Sequence, residues 1–412
     1  MSARESLARR AGSGPFLFVA LSLANASNYL FQVISSRRLG PADYSLMGGL
    51  FAIVTIIGVS TSALQTASAK LVAASDRTEV VLLRRDPLLR RTTTAAAAAA
   101  VAFAVASPAI ATFFRGDLAP VIAISLYIVP APLLAIGLGR LQGLQSFATF
   151  SMVALGMAAG RLILTWAALA GGLRVTGVML TTTTVTAAGA VWALASSRTA
   201  TSTTAVGIWR EAGRATVALV LFWVMVSIDV PVARHTLSPE LAGQYTAASV
   251  IGKAILWLPG AISLMMFPRV AQARVAGDKT HPLLVRALLP TLAMCVAAVS
   301  GLFFLGSTVI PIFFGESYAA GAELAWKVGL VSVPFAVANL LVFYHLTRAT
   351  SRFLLALAAG VVLEVGVLAL AHDSIDDVIA GLAVGSASVV VGLVVPGTIR
   401  RLRDNGMLPG RS

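Results

Sequence analysis

The chain reads as an all-α polytopic membrane protein with about twelve spanning helices, and three observations predict it: an apolar composition, apolar runs of about 20 residues, and basic residues sorted by loop. Its 412 residues are 58% hydrophobic and 12% charged, with a mean hydropathy of +0.87. Typical soluble proteins carry roughly 25% charged residues. In lipid every backbone N–H and C=O must be paired internally, which leaves helices or closed barrels as spanning structures. A helix needs about 20 residues to cross ~30 Å of hydrocarbon. Barrel strands would alternate over ~10 residues, and no such stretches occur.

The spans fall near 15–36, 43–67, 92–114, 120–139, 146–170, 176–196, 214–234, 245–267, 287–312, 322–346, 353–371 and 377–397. The first is too long for a signal-peptide core and lacks a clear cleavage site, so it counts as a membrane helix. Of the 31 Lys and Arg residues, 23 lie in alternate segments on one side and five in the loops between them. The positive-inside rule then puts both termini in the cytoplasm. The net charge of +14 is thereby a topology signal, and no nucleic-acid partner is implied. The largest loops, 71–91 and 197–213, leave no room for an extramembrane catalytic domain. An Ala run at 95–100 and a Thr run at 181–184 are expected helix-packing surfaces. The single cysteine, Cys295, excludes disulfides and cysteine metal sites and is expected to be a packing residue.

An internal repeat organises the chain. Leu39-Gly40-Pro41 precedes the second span and Leu237-Ser238-Pro239 the eighth, at an offset of 198 between the prolines. Lys70 and Arg269 end those spans at an offset of 199, and Phe113-Phe114 and Phe313-Phe314 end the third and ninth at 200. Leu141 and Phe147 match Leu346 and Phe353 at 205 and 206. The expected halves are 1–205 and 206–412, each a six-helix bundle. An even helix number makes them point the same way, about an axis along the membrane normal, with a central cavity between them.

A charge inside a span costs about 2.5 to 3.5 kcal/mol on insertion scales, so six residues need a reason: Arg161, Asp229, Lys253, Glu323, Lys327 and Glu364. Glu323 and Lys327 have the spacing of a helical ion pair. Glu364 is expected either to pair with Arg161 or to stay protonated. Asp229 and Lys253 occupy the first two spans of the second half, whose counterparts carry Asn25, Asn28, Gln32 and Gln65. Residues 25, 28 and 32 share a helical face. The four helices either line one polar cavity or, for Asp229 and Lys253, are glued together by a structural pair. Arg37, Arg38 and Arg234 lie at the outer mouth, where snorkelling to the interface is the simpler account. His235, His281, His345 and His372 are far apart in sequence. No metal-ligand cluster, P-loop or paired-carboxylate motif appears, so neither a cofactor nor an enzymatic activity is implied. Any coupling would draw on an ion gradient or the membrane potential.

Several stretches resemble the bacterial polysaccharide biosynthesis and oligosaccharide flippase family, within the multidrug/oligosaccharidyl-lipid/polysaccharide exporter superfamily. They are Leu39-Gly40-Pro41-Ala42-Asp43-Tyr44, the segment from Leu141 to Phe147, Asp229 to Tyr245, Gly252-Lys253-Ala254, Phe267-Pro268-Arg269 and Phe314-Gly315-Glu316-Ser317-Tyr318. The resemblance implies two six-helix bundles around a central cavity. It also implies translocation of an undecaprenyl-diphosphate-linked oligosaccharide from the inner to the outer leaflet of the bacterial plasma membrane, for cell-surface polysaccharide synthesis. On that basis Lys253 and Arg161 would meet the diphosphate, and Asn28, Gln32 and Gln65 the sugar hydroxyls. Arg37 and Arg234 would flank the outer exit, and Asp229 would balance charge or carry a coupling proton. Membrane lipids and glycan-assembly proteins are the further partners implied. The peptidoglycan-precursor branch places several arginines within its first two helices, whereas this chain has only Arg37 and Arg38 at the edge. A cation-coupled drug or small-molecule antiporter of the same superfamily is the alternative. A membrane glycosyltransferase or ligase would call for a large outer loop.

Overall fold

The computed structural model describes residues 3–73, 86–197, 206–257, 281–346 and 351–404, and among them every regular element is helical. Helix α1 spans Ala3–Ala73 and is interrupted at Gly40, whose φ of 72° and ψ of 170° lie outside the helical region. The first two expected spans therefore join at one glycine, with no separate loop. Helix α2 (Pro87–Phe113) begins on Asp86, whose carboxylate accepts from the backbone N–H groups of Leu88 and Leu89, with Pro87 in the first helical position. This cap-plus-proline start lies five residues earlier than expected, so Arg90 and Arg91 belong to the first two turns of α2 and not to the loop.

The fourth span is two helices, α3 (Leu118–Ile128) and α4 (Pro130–Gly143). Pro130 and Pro132 supply no N–H to the ladder, which accounts for the break at Val129. Next come α5 (Phe147–Ala170), α6 (Arg174–Ser196) and α7 (Val206–Ser227). Helix α8 (Asp229–Thr236) follows after one residue, and Pro231 breaks the ladder there in the same way. Helix α9 (Pro239–Lys253) starts on Ser238, whose hydroxyl accepts from the Leu241 N–H, and runs into a 3₁₀ turn at Ala254–Trp257. The rest of the eighth expected span, with Phe267-Pro268-Arg269, lies outside the described residues. Helices α10 (His281–Phe314), α11 (Ala322–Leu346), α12 (Phe353–Leu370) and α13 (Ile375–Asp404) complete the chain.

Ten stretches of the described residues are long and apolar enough to cross a membrane, and the first, Ser22–Ala73, is 52 residues long. Folded at Gly40, it provides two of the expected crossings. The contacts divide the chain into two units, Met1–Thr216 and Val217–Ser412. In the first, α1 packs against α4 and α5, and α6 against α3, α4 and α5. Close approach of α4 to α1 depends on Gly143, where a Cβ would sit 2.6 Å from the Ala69 carbonyl oxygen. In the second unit α11 packs against α9, α10 and α13, and α12 against α13. Gly252 on α9 lies against the backbone of α11, 2.9 Å from the Ala325 carbonyl at the position a Cβ would take. Small residues at such crossings are how membrane helices gain van der Waals contact.

The repeat recurs in the turns. Phe114 and Phe314 are both buried, and the residue after each, Arg115 (φ 46°) or Gly315 (φ 106°), takes a left-handed conformation.

Candidate functional site

Each unit holds a polar cluster inside its own apolar packing. In the second unit the centre is Asp229, fully buried at the start of α8. Lys253 Nζ donates to both carboxylate oxygens at 2.6 Å. The Tyr245 hydroxyl donates to Oδ2 at 2.6 Å, and the Ser249 hydroxyl approaches the same oxygen at 3.4 Å. Tyr245, Ser249 and Lys253 are spaced by four on α9 and so share one face. The Lys253 side chain is 13% exposed, with its head drawn inward onto Asp229.

Glu364 on α12 is also fully buried. Its carboxyl group is packed against Gly385 of α13, and neither oxygen has a hydrogen-bond partner among the described residues. Asp229 and Lys253 lie near enough to act on it electrostatically. The cluster thus holds two acids and one base. Among the described residues no group of three or more His, Cys, Asp or Glu side chains is placed to hold a metal ion.

In the first unit Arg161 of α5 donates through Nη2 to the Asn28 carbonyl oxygen on α1. Its guanidinium carbon lies 4.4 Å from the centroid of the Phe31 ring, a cation–π contact. The Nε of Arg161 is buried and has no partner among the described residues. Gln32 accepts from the buried Tyr44 hydroxyl at 3.0 Å, and Gln65 donates to Gln142 at 3.0 Å. Asn25, on the same face as Asn28, is exposed.

The structure therefore gathers the expected site residues into separate groups: Asp229 with Lys253, Arg161 with Asn28, Gln32 with Tyr44, and Gln65 with Gln142. Asp229 and Lys253 take the helix-joining arrangement that the sequence left open. Four expectations change. Lys327 pairs with Asp376 of α13 at 3.2 Å, while Glu323 is exposed; the reach to another helix replaces the pairing along α11. Of the two alternatives for Glu364, only pairing with Arg161 is excluded: Glu364 lies beside the Asp229 cluster, and Arg161 bonds Asn28. Arg234 is 6% exposed, packed into α8 and not snorkelling, whereas Arg37 and Arg38 are exposed. Arg140, counted with the loop charges, is fully buried and bonded to Asp86.

Tyr44 and Tyr245 enter the sequence reading only as the ends of motif stretches, and neither they nor Ser249 and Gln142 are among its expected site residues. The spacing 245, 249, 253 was the available signal for Tyr245 and Ser249. The partners on other helices had none.

Comparison with protein-family models and with curated protein sequences finds no match. Solved structures do match. An inward-facing multidrug resistance MATE family transporter of the MOP superfamily is 15% identical, with a TM-score of 0.71 over 95% of this chain and 98% of that one. The lipid II flippase MurJ in an inward closed conformation is 12% identical, with a TM-score of 0.72 over 93% and 88%. A MOP superfamily transporter from Pyrococcus furiosus, whose binding pocket of reverse polarity suggests a different function, is 13% identical at 0.65 over 94% of each. Such identities speak to fold. The chain is a multi-pass membrane protein with the two-bundle helical fold of MOP superfamily transporters.

Proposed function

We propose that the chain is a flippase. Its cargo on this reading is a lipid-diphosphate-linked oligosaccharide, carried from the inner to the outer leaflet of a bacterial plasma membrane by alternating access, for cell-surface polysaccharide synthesis. The observation that carries the reading is Arg161. Its guanidinium sits inside an apolar span and is met by a neutral amide and an aromatic ring, with no carboxylate among its described partners. Arginine presents a planar fork matched to phosphate oxygens, and a buried cation without an anionic partner is an acceptor for an anion. By contrast Lys253 is held by Asp229, so its role in this reading is secondary to that of Arg161. Asn28 would be displaced from Arg161 by the diphosphate and freed for a hydroxyl.

The physical need is plain. Diphosphate and sugar hydroxyls would lose their hydration in hydrocarbon, whereas the lipid tail has nothing to lose by staying in the bilayer. The likeness in fold to a lipid flippase supports the reading, as does the resemblance in sequence. Undecaprenyl diphosphate is the expected carrier, and glycan-assembly proteins the expected partners.

A second reading, a cation-coupled antiporter of drugs or small molecules, is favoured by Glu364, a buried acid with no hydrogen-bond partner among the described residues, and by the likeness to MATE transporters. One experiment separates the two. In liposomes, fluorescent undecaprenyl-diphosphate sugar should change leaflet with the wild-type chain, and Arg161→Gln should slow this at least tenfold while Arg161→Lys retains part. Unchanged exchange in Arg161→Gln, or transport of a lipophilic cation that only Glu364→Gln abolishes, would reject the flippase in favour of the antiporter.

A further inference from the structure

Two cavities of the first unit follow one another along α2. One, of about 610 Å³, is lined by Pro87, Arg90, Arg91, Thr94, Ala95 and Ala98. The other, of about 560 Å³, is walled by Val101 and Ala104 of α2, Leu126 and Leu133 of α3 and α4, and Val191 and Leu194 of α6, with other residues of those helices. Ala98 and Val101 stand one turn apart, and residues 87, 91, 94, 98 and 101 fall on one helical face. The second cavity is almost wholly apolar, and Val101, Leu126 and Val191 on its rim are 65%, 54% and 70% exposed. Alanines on α2 and α6 leave the room.

We infer that these two cavities form one binding site for an anionic phospholipid of the surrounding bilayer, with its phosphate on Arg90 and Arg91 and one acyl chain in the apolar groove. Charge and length both point to that occupant. Arg90 and Arg91 are exposed, and no acidic side chain pairs with either among the described residues. The nearest acid in sequence, Asp86, is bonded to Arg140 and to the backbone of α2. The 27 residues of α2 rise about 40 Å at ~1.5 Å per residue, longer than ~30 Å of hydrocarbon, so its first turn reaches headgroup level. From Arg91 to Ala104 the rise is about 20 Å, close to the depth of one leaflet with its interface. A basic pocket continued by an apolar groove inside a single leaflet fits one phospholipid molecule. The site is independent of the proposed glycan export, since it involves neither Arg161 nor the Asp229 cluster.

The test is native mass spectrometry of the full chain in neutral detergent, titrated with dioleoylphosphatidylglycerol, dioleoylphosphatidylcholine or inorganic phosphate. The phosphatidylglycerol adduct should form at a concentration at least fivefold below that of phosphatidylcholine. Inorganic phosphate should not displace it. Both Arg90→Gln/Arg91→Gln and Val101→Trp should weaken it at least fivefold, and Arg90→Lys/Arg91→Lys should keep it within twofold. Equal binding of the two lipids, displacement by inorganic phosphate, or an unaltered adduct in Val101→Trp would overturn the site. Val101→Trp leaves the arginines untouched, so it decides the matter alone if the Gln variant does not fold.

Discussion

Asp229 uses both carboxylate oxygens on partners drawn from a single helix face, and a buried ion pair satisfied in this way responds asymmetrically to substitution. Removing one member strands the other, at about 3 to 5 kcal/mol, whereas replacing both by neutral groups of similar volume is often harmless. Asp229→Asn and Lys253→Met should each lower the thermal unfolding midpoint of the purified protein by several degrees. The double variant should recover at least half of the loss. Additive losses in the double variant would show that the two residues do not form the pair seen here. Intramembrane charges stand out in a sequence of 12% charged residues, so Asp229, Lys253, Arg161 and Glu364 were legible. Their partners were not. A tyrosine or glutamine in an apolar span carries no mark of whether it faces a carboxylate, and Asp86, at the edge of a charged loop, gave no sign that it would meet a buried Arg140. Helical spacing speaks only for one helix, which is why Glu323 was the expected partner of Lys327 and Asp376 the actual one.

Helices are cut where the backbone, and not the side-chain pattern, dictates. Hydropathy alone placed the spans, yet it missed that two of them are broken by proline and that the first two are joined through Gly40. Gly40 can be separated from ordinary helical glycines by sign. Its φ of 72° with ψ of 170° belongs to a region that only glycine visits cheaply, and a Cβ there would meet nothing within 4 Å. Gly40→Ala should therefore cost about 1 to 3 kcal/mol through backbone strain alone. Gly58 lies inside the helical part of α1, and its nearest neighbour at the Cβ position is the Tyr127 hydroxyl at 3.8 Å. Gly58→Ala should be neutral or stabilising by up to about 1 kcal/mol. Denaturant or thermal titration of the two variants reads the contrast, and equal effects would mean that the Gly40 conformation is not imposed by the fold. One of the two proline breaks serves the site directly. The one before Asp229 starts a new helix at that residue, opposite the face of α9 that carries Tyr245, Ser249 and Lys253.

At the scale of the whole chain, the two halves repeat one plan with different charge. Each begins with a pair of helices in which a buried tyrosine on the second donates to a polar group on the first, Tyr44 to Gln32 and Tyr245 to Asp229. Each also turns through a left-handed residue after a Phe-Phe pair. The repeat was readable from constant offsets, and so was the contrast of Asp229 and Lys253 with the neutral Asn28, Gln32 and Gln65, but which groups bond one another emerged only from the structure. Contacts within the first unit also link segments that the basic-residue count assigns to one side. Arg174 holds Asp43 through two hydrogen bonds of 2.7 and 2.8 Å, joining two segments expected outside. Asp86 with Arg140, and Gln65 with Gln142, join segments expected inside. This agreement makes orientation a sharp question. Cys295 is the only cysteine and is buried, so Cys295→Ala provides a cysteine-free background. In it Arg38→Cys should react with a membrane-impermeant maleimide added to intact cells, and Arg352→Cys should react only after permeabilisation. Both side chains replaced are exposed, so access will depend on the side of the membrane. The reverse pattern would invert the chain, carry Arg90 and Arg91 to the opposite leaflet, and reverse the direction of export proposed here.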